Sequence, residues 1–354
     1  RMAPRAIWPR HVQRFALEWE TWKTDEGLLD FNDLISRAEQ EFTTAPGAPK
    51  VLFVDEAQDL SALQFSCIRK WAGSMERLVL LGDDDQAIFA FSGADAANML
   101  DRGVPDENKI VLKQSYRLPR AVLDVSQRWI RQIKHRQEKV FLPREAQGEV
   151  RQIKGHWRSP EPVLDDLQAQ VGAGRSVMLL ASCSFMLDGL IGGMRERGIR
   201  FHNPYRPTQG RWNPIRDGTG STLARLRAFL RGDLDPAWTV SDLKAWTGLV
   251  GASGVIKHGM KKELEEIEDD DELVLPMSEV RRFLEDGPWN SEGPWSARHP
   301  ELLQWLCRHA SKARRQGLEY AAAMMDRGGV EALSARPLVT VGTVRTGTGT
   351  LMQY

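Results

Sequence analysis

Two carboxylates that follow four uninterrupted apolar residues are the first chemical handle in this chain. Val51-Leu52-Phe53-Val54 runs directly into Asp55-Glu56, with Ala57-Gln58-Asp59 behind them. An apolar run without alternation predicts a buried strand of a parallel sheet, and whatever follows it is delivered to the carboxyl edge, where ligands of open α/β folds bind. There Asp55 could hold Mg²⁺, through a shell of water because this ion dehydrates reluctantly. Glu56 could orient and deprotonate a water for attack on a phosphate. The plain alternative is a solvated acidic turn. A second run, Leu78-Val79-Leu80-Leu81, ends in Gly82-Asp83-Asp84-Asp85-Gln86-Ala87-Ile88-Phe89-Ala90-Phe91-Ser92-Gly93-Ala94. Gly82 lets the backbone turn sharply off the strand, and the Gln86 amide can donate to a phosphate oxygen while accepting from a water. Phe89 and Phe91 share a face if extended, and each reads either as core packing or as a stacking platform for an unpaired base. A third run, Ile110-Val111-Leu112, predicts a further strand leading to Gln114-Ser115-Tyr116-Arg117-Leu118-Pro119. Arg117 could bridge to a terminal phosphate as a fork of donors.

Parallel strands need a crossover, and Leu60, Leu63, Gln64, Cys67, Ile68 and Trp71 mark the helix that supplies it, with Gln58 and Asp59 on its exposed first turn. Upstream, Val12, Phe15, Ala16, Trp19 and Trp22 fall on one helical face and predict a helix packed against this first domain. Val150 to Ile153 and Val177 to Leu180 read as strands of a second domain. Residues 211–332 combine helix formers and Trp with Gly/Pro interruptions such as Gly287-Pro288-Trp289 and Gly293-Pro294-Trp295, and read as an insertion. The acidic run Glu263 to Glu272 reads as a solvated helix end and loop, and Leu338 to Val344 as a return to the second sheet.

In this order and spacing, VDEAQDL, GDDDQAIFAFSGA and LKQSYR resemble motifs II, III and IV of the superfamily 1 DNA helicases of the UvrD/Rep/PcrA type. Asp30-Phe31-Asn32-Asp33-Leu34 resembles the segment that precedes motif II in these enzymes, and Val177 to Leu180 with the apolar stripe from Met186 to Met194 and Gly198-Ile199 resembles their second motor domain. The resemblance implies an α/β fold of RecA-like parallel-sheet motor domains, of the P-loop NTPase type, with a mostly helical inserted domain. It implies a first motor domain over 1–118, a second over 119–210 and 333–354, and the insertion between them. ATP and Mg²⁺ are the implied cofactors. Asp55 would serve Mg²⁺, Glu56 the hydrolytic water, Gln86 and Arg117 the γ-phosphate, with Gln58 near the interdomain cleft. Phe91, Phe89, Ser92 and Thr343 would meet nucleic acid. The implied partners are single-stranded and duplex DNA, with proteins of a repair or replication complex, and the implied place is the bacterial or phage-type cytoplasm and nucleoid.

The match is partial. No Gly-x-x-Gly-x-Gly-Lys-Thr cradle occurs in the 354 residues, and Gly254-Val255-Ile256-Lys257-His258-Gly259-Met260-Lys261 has the wrong spacing for one. Val339 to Gly349 resembles motif V only through Thr343 and Gly349, and motif VI is missing. A fragment of a longer gene, a silent helicase-like module, or a loop supplied by another chain would each account for this, and the first is the expectation. Composition suits a multidomain protein: 42% of residues are hydrophobic, Lys plus Arg and Asp plus Glu number 48 each, so a DNA groove must come from local segregation of charge. Candidate basic segments are Arg128 to Lys139 and Arg308 to Arg315, each also readable as a solvated helix face. Cys67, Cys183 and Cys307 lack metal-ligand spacing and read as small buried hydrophobes. No apolar run reaches the length of a membrane span.

Overall fold

The computed structural model describes residues 8–90, 93–100, 104–134, 136–216, 218, 220–231, 238–251, 254–269, 273–290 and 300–343. Two units divide the chain, Arg1–Arg151 and Gln152–Tyr354.

In the first unit, helix α1 (Arg10–Asp25) carries the expected aromatic stripe: Phe15 stacks on Trp19 and Trp22 lies tilted against Trp19, with centroids 6.4 and 5.2 Å apart. The stripe does not pack inward as the periodicity predicts: Phe15 is 66% and Trp22 46% exposed. The buried member of α1 is Lys23, whose Nζ donates to Asp33 Oδ2 at 2.6 Å and Asp30 Oδ2 at 2.9 Å. Those two aspartates are the capping box of α2 (Phe31–Glu41), with the Asp30 side chain accepting from Asn32 and Asp33 N–H groups. One ammonium thus ties α1 to the start of α2. Lys23 holds the Asp30 and Asp33 carboxyls well below the usual carboxylate range, and those carboxylates, Asp33 foremost, raise Lys23 above the usual lysine range. A depressed folded pKa gives stability that is present above about pH 4, the unfolded carboxylate value, and is lost as pH falls through the folded value. The raised lysine keeps its contribution until pH rises beyond the ordinary lysine range of about 10.4. Trp19 Nε1 donates to Asp30 Oδ2 at 3.2 Å, so acid titration below about pH 4 is expected to change Trp19 fluorescence before global unfolding. Lys23→Met should move that step to higher pH; an identical acid step in the variant would contradict the assignment.

Strands β1 (Val51–Val54) and β2 (Arg77–Leu80) pair in parallel, Val51 opposite Arg77 and Val54 opposite Leu80, joined through α3 (Ala62–Ala72). Ser61 caps α3 in a capping box with Gln64, and Phe65 and Cys67 are buried. The strands are not buried on both faces as their apolar runs predict, since Phe53 is 67% exposed and β1 alternates exposed with half-buried. Among the described residues this sheet has two strands. Ile110 to Leu112 forms no strand: Ile110 and Leu112 are 84% and 78% exposed, and only the isolated bridge Gln114 to Leu142 follows. A strand needs a neighbour for its N–H and C=O groups, and β1 and β2 do not supply one there. Helix α4 (Arg120–Ile130) follows. Ser115 N–H donates to Leu142 O at 2.8 Å and Leu142 N–H to Lys113 O at 2.7 Å. These bonds keep residues 119–151 in the first unit, where the sequence places a domain change at 119.

The second unit opens with α5 (Glu161–Gly172), β3 (Val177–Ala181), α6 (Asp188–Glu196) and β4 (Phe201–His202). It continues through α7 (Thr222–Leu230), β5 (Trp238–Thr239), α8 (Val240–Thr247), α9 (Met260–Glu266), β6 (Val274–Leu275) and α10 (Met277–Phe283), and ends in α11 (Pro300–His309), α12 (Lys312–Gly328) and β7 (Val339–Thr343). As the sequence predicts, Val177 begins a strand and the chain returns at Val339: β7 lies between β3 and β4, parallel to both. Val150 to Ile153 is not a strand, and Val150 is 49% exposed. The helices of 211–332 share one continuous core with the sheet, from Leu164 and Ile191 through Trp246 and Leu306 to Val339 and Val341. Its centre is a run of indoles, Trp238, Trp246, Trp289 and Trp305, with successive centroids 5.0, 6.3 and 4.7 Å apart. The first Gly-Pro-Trp segment delivers Trp289 to this core; the second, 293–295, lies outside the described residues. The described part of the acidic run is mainly exposed, with Asp269 paired to Lys244 at 2.7 Å. Cys67 is buried and burial pushes the half-buried Cys307 thiol up to about 11, whereas Cys183 is exposed, contrary to expectation. Among the described residues no helix is long and apolar enough to cross a membrane.

Candidate functional site

Because β1 and β2 run parallel and in register, Asp55-Glu56 and Leu81 to Asp83 leave the sheet at the same edge. Backbone bonds hold the two exits together, Leu81 N–H to Val54 O at 2.8 Å and Ala57 N–H to Leu81 O at 2.9 Å. Asp55 is exposed and its Oδ1 accepts the Glu56 N–H at 2.9 Å. Glu56 is half-buried and left-handed, with φ of +53° and ψ of +37°. For a residue with a side chain this conformation costs about 1–3 kcal/mol, and such strain concentrates at functional sites. It turns the chain into a short 3₁₀ segment, Ala57–Asp59, ahead of α3.

That segment corrects the expected place of Gln58. Instead of standing on an exposed helical turn, Gln58 is fully buried between the two acidic loops. Its Nε2 donates to Glu56 Oε2 at 2.8 Å and its Oε1 accepts the Asp83 N–H at 3.1 Å. Gly82 makes room for this: a Cβ there would press on Gln58 Oε1 and sit 2.7 Å from Met99 Sδ and 3.2 Å from Ala57 N. Asp83 Oδ2 then accepts Gln86 Nε2 at 2.7 Å. Glu56, Gln58 and Gln86 are therefore members of one hydrogen-bonded chain. The sequence carried a usable signal, since the Ser61 to Gln64 capping box starts the helix at 61 and leaves Gln58 outside it. Asp59, two residues before that cap, is pushed up by burial and then by the Glu56 charge, and its Oδ1 is enclosed without a partner among the described residues.

The neighbouring aspartates are held from a distance. Arg136 donates to Asp85 through Nε at 2.6 Å and Nη2 at 2.7 Å, and Lys139 reaches Asp83 at 2.6 Å, Asp84, and Asp85 at 3.2 Å. These two cations belong to the segment that the sequence allows as a solvated helix face. In the structure they are tertiary partners of the Gly82-to-Gln86 turn.

The other expected site residues are placed as follows. Arg117 is exposed on a turn whose Ser115 Oγ accepts the Arg117 and Leu118 N–H groups at 3.4 and 3.1 Å. Phe89 is half-buried, with its carbonyl accepting the Ala94 N–H at 3.3 Å. Phe91, Ser92 and the chain beyond Thr343 lie outside the described residues. Thr343 ends β7 in the second unit, 8% exposed. For a metal, the donor set fits a hydrated hard cation: Asp55 and Glu56 offer carboxylate oxygens, and the described residues hold no cluster of three acidic, His or Cys side chains that would cage a bare ion.

Comparison with known proteins coincides with this architecture. Residues 8–103 match the family described as the UvrD/REP helicase N-terminal domain. The chain is 30% identical over 130 residues to the ATP-dependent DNA helicase PcrA of Staphylococcus aureus (strain Mu50 / ATCC 700699), covering 34% of this chain and 18% of that protein. It is 26% identical over 143 residues to the putative ATP-dependent DNA helicase YjcD of Bacillus subtilis (strain 168), covering 38% and 19%. PcrA of Bacillus subtilis (strain 168) is 30% identical over 120 residues, covering 31% and 16%. The matched segment thus spans less than a fifth of each relative. It is also the segment that carries the paired strands and the linked acidic loops, and over it the chain is similar to the N-terminal domain of the UvrD/REP helicases.

Proposed function

We propose that the first unit is the hydrolytic part of an ATP-dependent DNA helicase or translocase, in which ATP turnover drives movement on single-stranded DNA and opening of duplex. The supporting observation is the hydrogen-bonded chain from Glu56 through Gln58 and Asp83 to Gln86, which makes the water-activating and phosphate-sensing candidates move as one. On this reading Asp55 carries hydrated Mg²⁺, Glu56 draws the proton from the attacking water, and Gln86 and Arg117 read the terminal phosphate. When bound, Mg²⁺ supplies charge neutralisation on the phosphate oxygens. Gln58 holds Glu56 by one amide end and the Asp83 backbone by the other, so a shift of Gln86 is passed to the base. A nucleotide biases such an arrangement only by as much as it prefers one state over another, and Gln86 and Arg117 are the groups that would register the γ-phosphate. RecA-like architecture is proposed for both sheets, with 211–332 inserted in the second motor domain, and Phe89, Phe91, Ser92 and Thr343 facing nucleic acid.

A second reading, a catalytically silent DNA-binding or scaffolding module, draws on the absence of a Gly-Lys-Thr cradle from the 354 residues. Phosphoryl transfer is mostly positioning and electrostatics, so without a cradle lysine this chain assayed alone is expected to show negligible turnover. The measurement is steady-state hydrolysis of Mg²⁺-ATP with and without single-stranded DNA. Turnover at the level of complete helicases would contradict that expectation. Capture of a labelled ATP analogue by the complete gene product separates the readings: capture supports the motor, and its absence the silent module.

A further inference from the structure

We propose that Lys139 and Arg136 are positioning residues of the nucleotide site, holding the Asp83–Asp85 turn in the register that presents Gln86 and, through Gln58, Glu56. The inference rests on the nucleotide reading above. Three successive carboxylates repel one another and, unpaired, would splay the turn. In the structure each is engaged: Lys139 contacts all three, Arg136 forks onto Asp85, and the Gln137 N–H donates to Asp84 Oδ2 at 2.6 Å. The clasp is largely shut off from water, with the side chains of Asp84, Asp85 and Lys139 2%, 4% and 9% exposed. Burial alone would raise the Asp85 carboxyl, but Arg136 and Lys139 outweigh it and hold it below the usual range.

What makes this more than a stabilising ion cluster is where Asp83 leads. Its Oδ1 takes Lys139, its Oδ2 takes Gln86 Nε2, and its backbone N–H goes to Gln58, which in turn donates to Glu56. A lysine 56 residues away in sequence from Asp83 is thus two hydrogen bonds from Gln86 and three from Glu56. Removing it leaves the buried Asp84 carboxylate uncompensated beside Asp83, the hub of that chain, and the turn must move to rehydrate it.

The test reads the glutamine side chains directly. In the ¹⁵N-labelled chain, the Gln58 and Gln86 amide signals are assigned with Gln58→Glu and Gln86→Glu. Lys139→Met is expected to shift both signals, and Lys139→Arg to return them towards their original positions. Arg136→Lys, which keeps the charge and loses the fork, should shift Gln86 in the same direction by less, and serves as the second variant if Lys139→Met does not fold. Thermal unfolding run in parallel isolates the structural alternative: a lowered midpoint with both amide signals unmoved would overturn the proposal. In the complete gene product Lys139→Met is expected to lower kcat on the order of 10²-fold with KM near its original value, the cost of a misplacement of about 1 Å. If that gene product binds no nucleotide, the functional reading fails while the amide shifts still decide the positioning claim.

Discussion

Glu56→Gln is expected to lower ATP hydrolysis by the complete gene product on the order of 10²–10⁴-fold, the usual worth of a positioned general base, while nucleotide binding survives. The structure makes this substitution clean. Gln58 Nε2 donates to Glu56 Oε2 at 2.8 Å, and an amide oxygen can accept the same bond. The left-handed backbone at 56 is as tolerable for Gln as for Glu, since neither branches at Cβ. What disappears is basicity, with little change in shape. Hydrolysis is measured under saturating Mg²⁺-ATP and single-stranded DNA, and binding by a labelled analogue in parallel. Undiminished turnover would take the base role away from Glu56. Loss of binding together with turnover would mean that residue 56 shapes the loop, because the carboxylate charge alone does not hold the nucleotide on this reading. Gln58→Ala offers a contrast in kind, since it leaves the base in place and removes the link that orients it.

The parts of this arrangement that were legible in the sequence are those set by local pattern. The apolar runs at 51–54 and 177–180 become β1 and β3, the stripe from Leu63 to Trp71 becomes α3, and the chain does return to the second sheet at β7. Each follows from periodicity and from the crossover that parallel strands require. The failures share a different cause. Ile110 to Leu112 has the composition of a strand and no strand partner among the described residues, and strand formation is a property of two segments, only one of which can be read at a time. The α1 stripe has the moment of a packed helix, yet its buried residue is Lys23, because two capping aspartates eleven and more residues from Trp19 call for an ammonium. Arg136 and Lys139 look like solvated charges until the turn at 83–85 folds against them, more than fifty residues away in sequence. Chemistry-bearing residue types were therefore readable, whereas the bonds that orient them were tertiary.

The largest expected effect on stability lies in the second unit, at Trp246. Its ring is fully buried, 5.0 Å from Trp238, 5.3 Å from Phe229 and 6.3 Å from Trp289 between centroids, so it is the common neighbour of the aromatic core. Truncation of such a ring removes both the transfer free energy and the packing of the residues around it, at a cost of about 3–5 kcal/mol. Trp246→Ala should accordingly lower the thermal midpoint of the second unit by roughly 6–20 °C, taking about 2–4 °C per kcal/mol for a unit of this size. Trp246→Phe is expected to behave quite differently. The Trp246 Nε1 is buried without a hydrogen-bond partner among the described residues, whereas Trp238 Nε1 donates to Phe229 O at 2.9 Å and Trp289 Nε1 to Glu285 O at 2.9 Å. An unsatisfied buried donor costs about 1–3 kcal/mol, and replacing the indole by a phenyl ring removes it while keeping most of the aromatic contact. The lost part of the ring and the lost penalty oppose each other, leaving a change of less than about 1.5 kcal/mol. The same exchange at Trp238 forfeits a made hydrogen bond, leaves the Phe229 carbonyl short of a donor, and should destabilise by more. Calorimetric scans of the three variants decide the matter: a Trp246→Phe midpoint as low as that of Trp238→Phe would show either that the Trp246 N–H has a partner in solution or that volume alone governs this core.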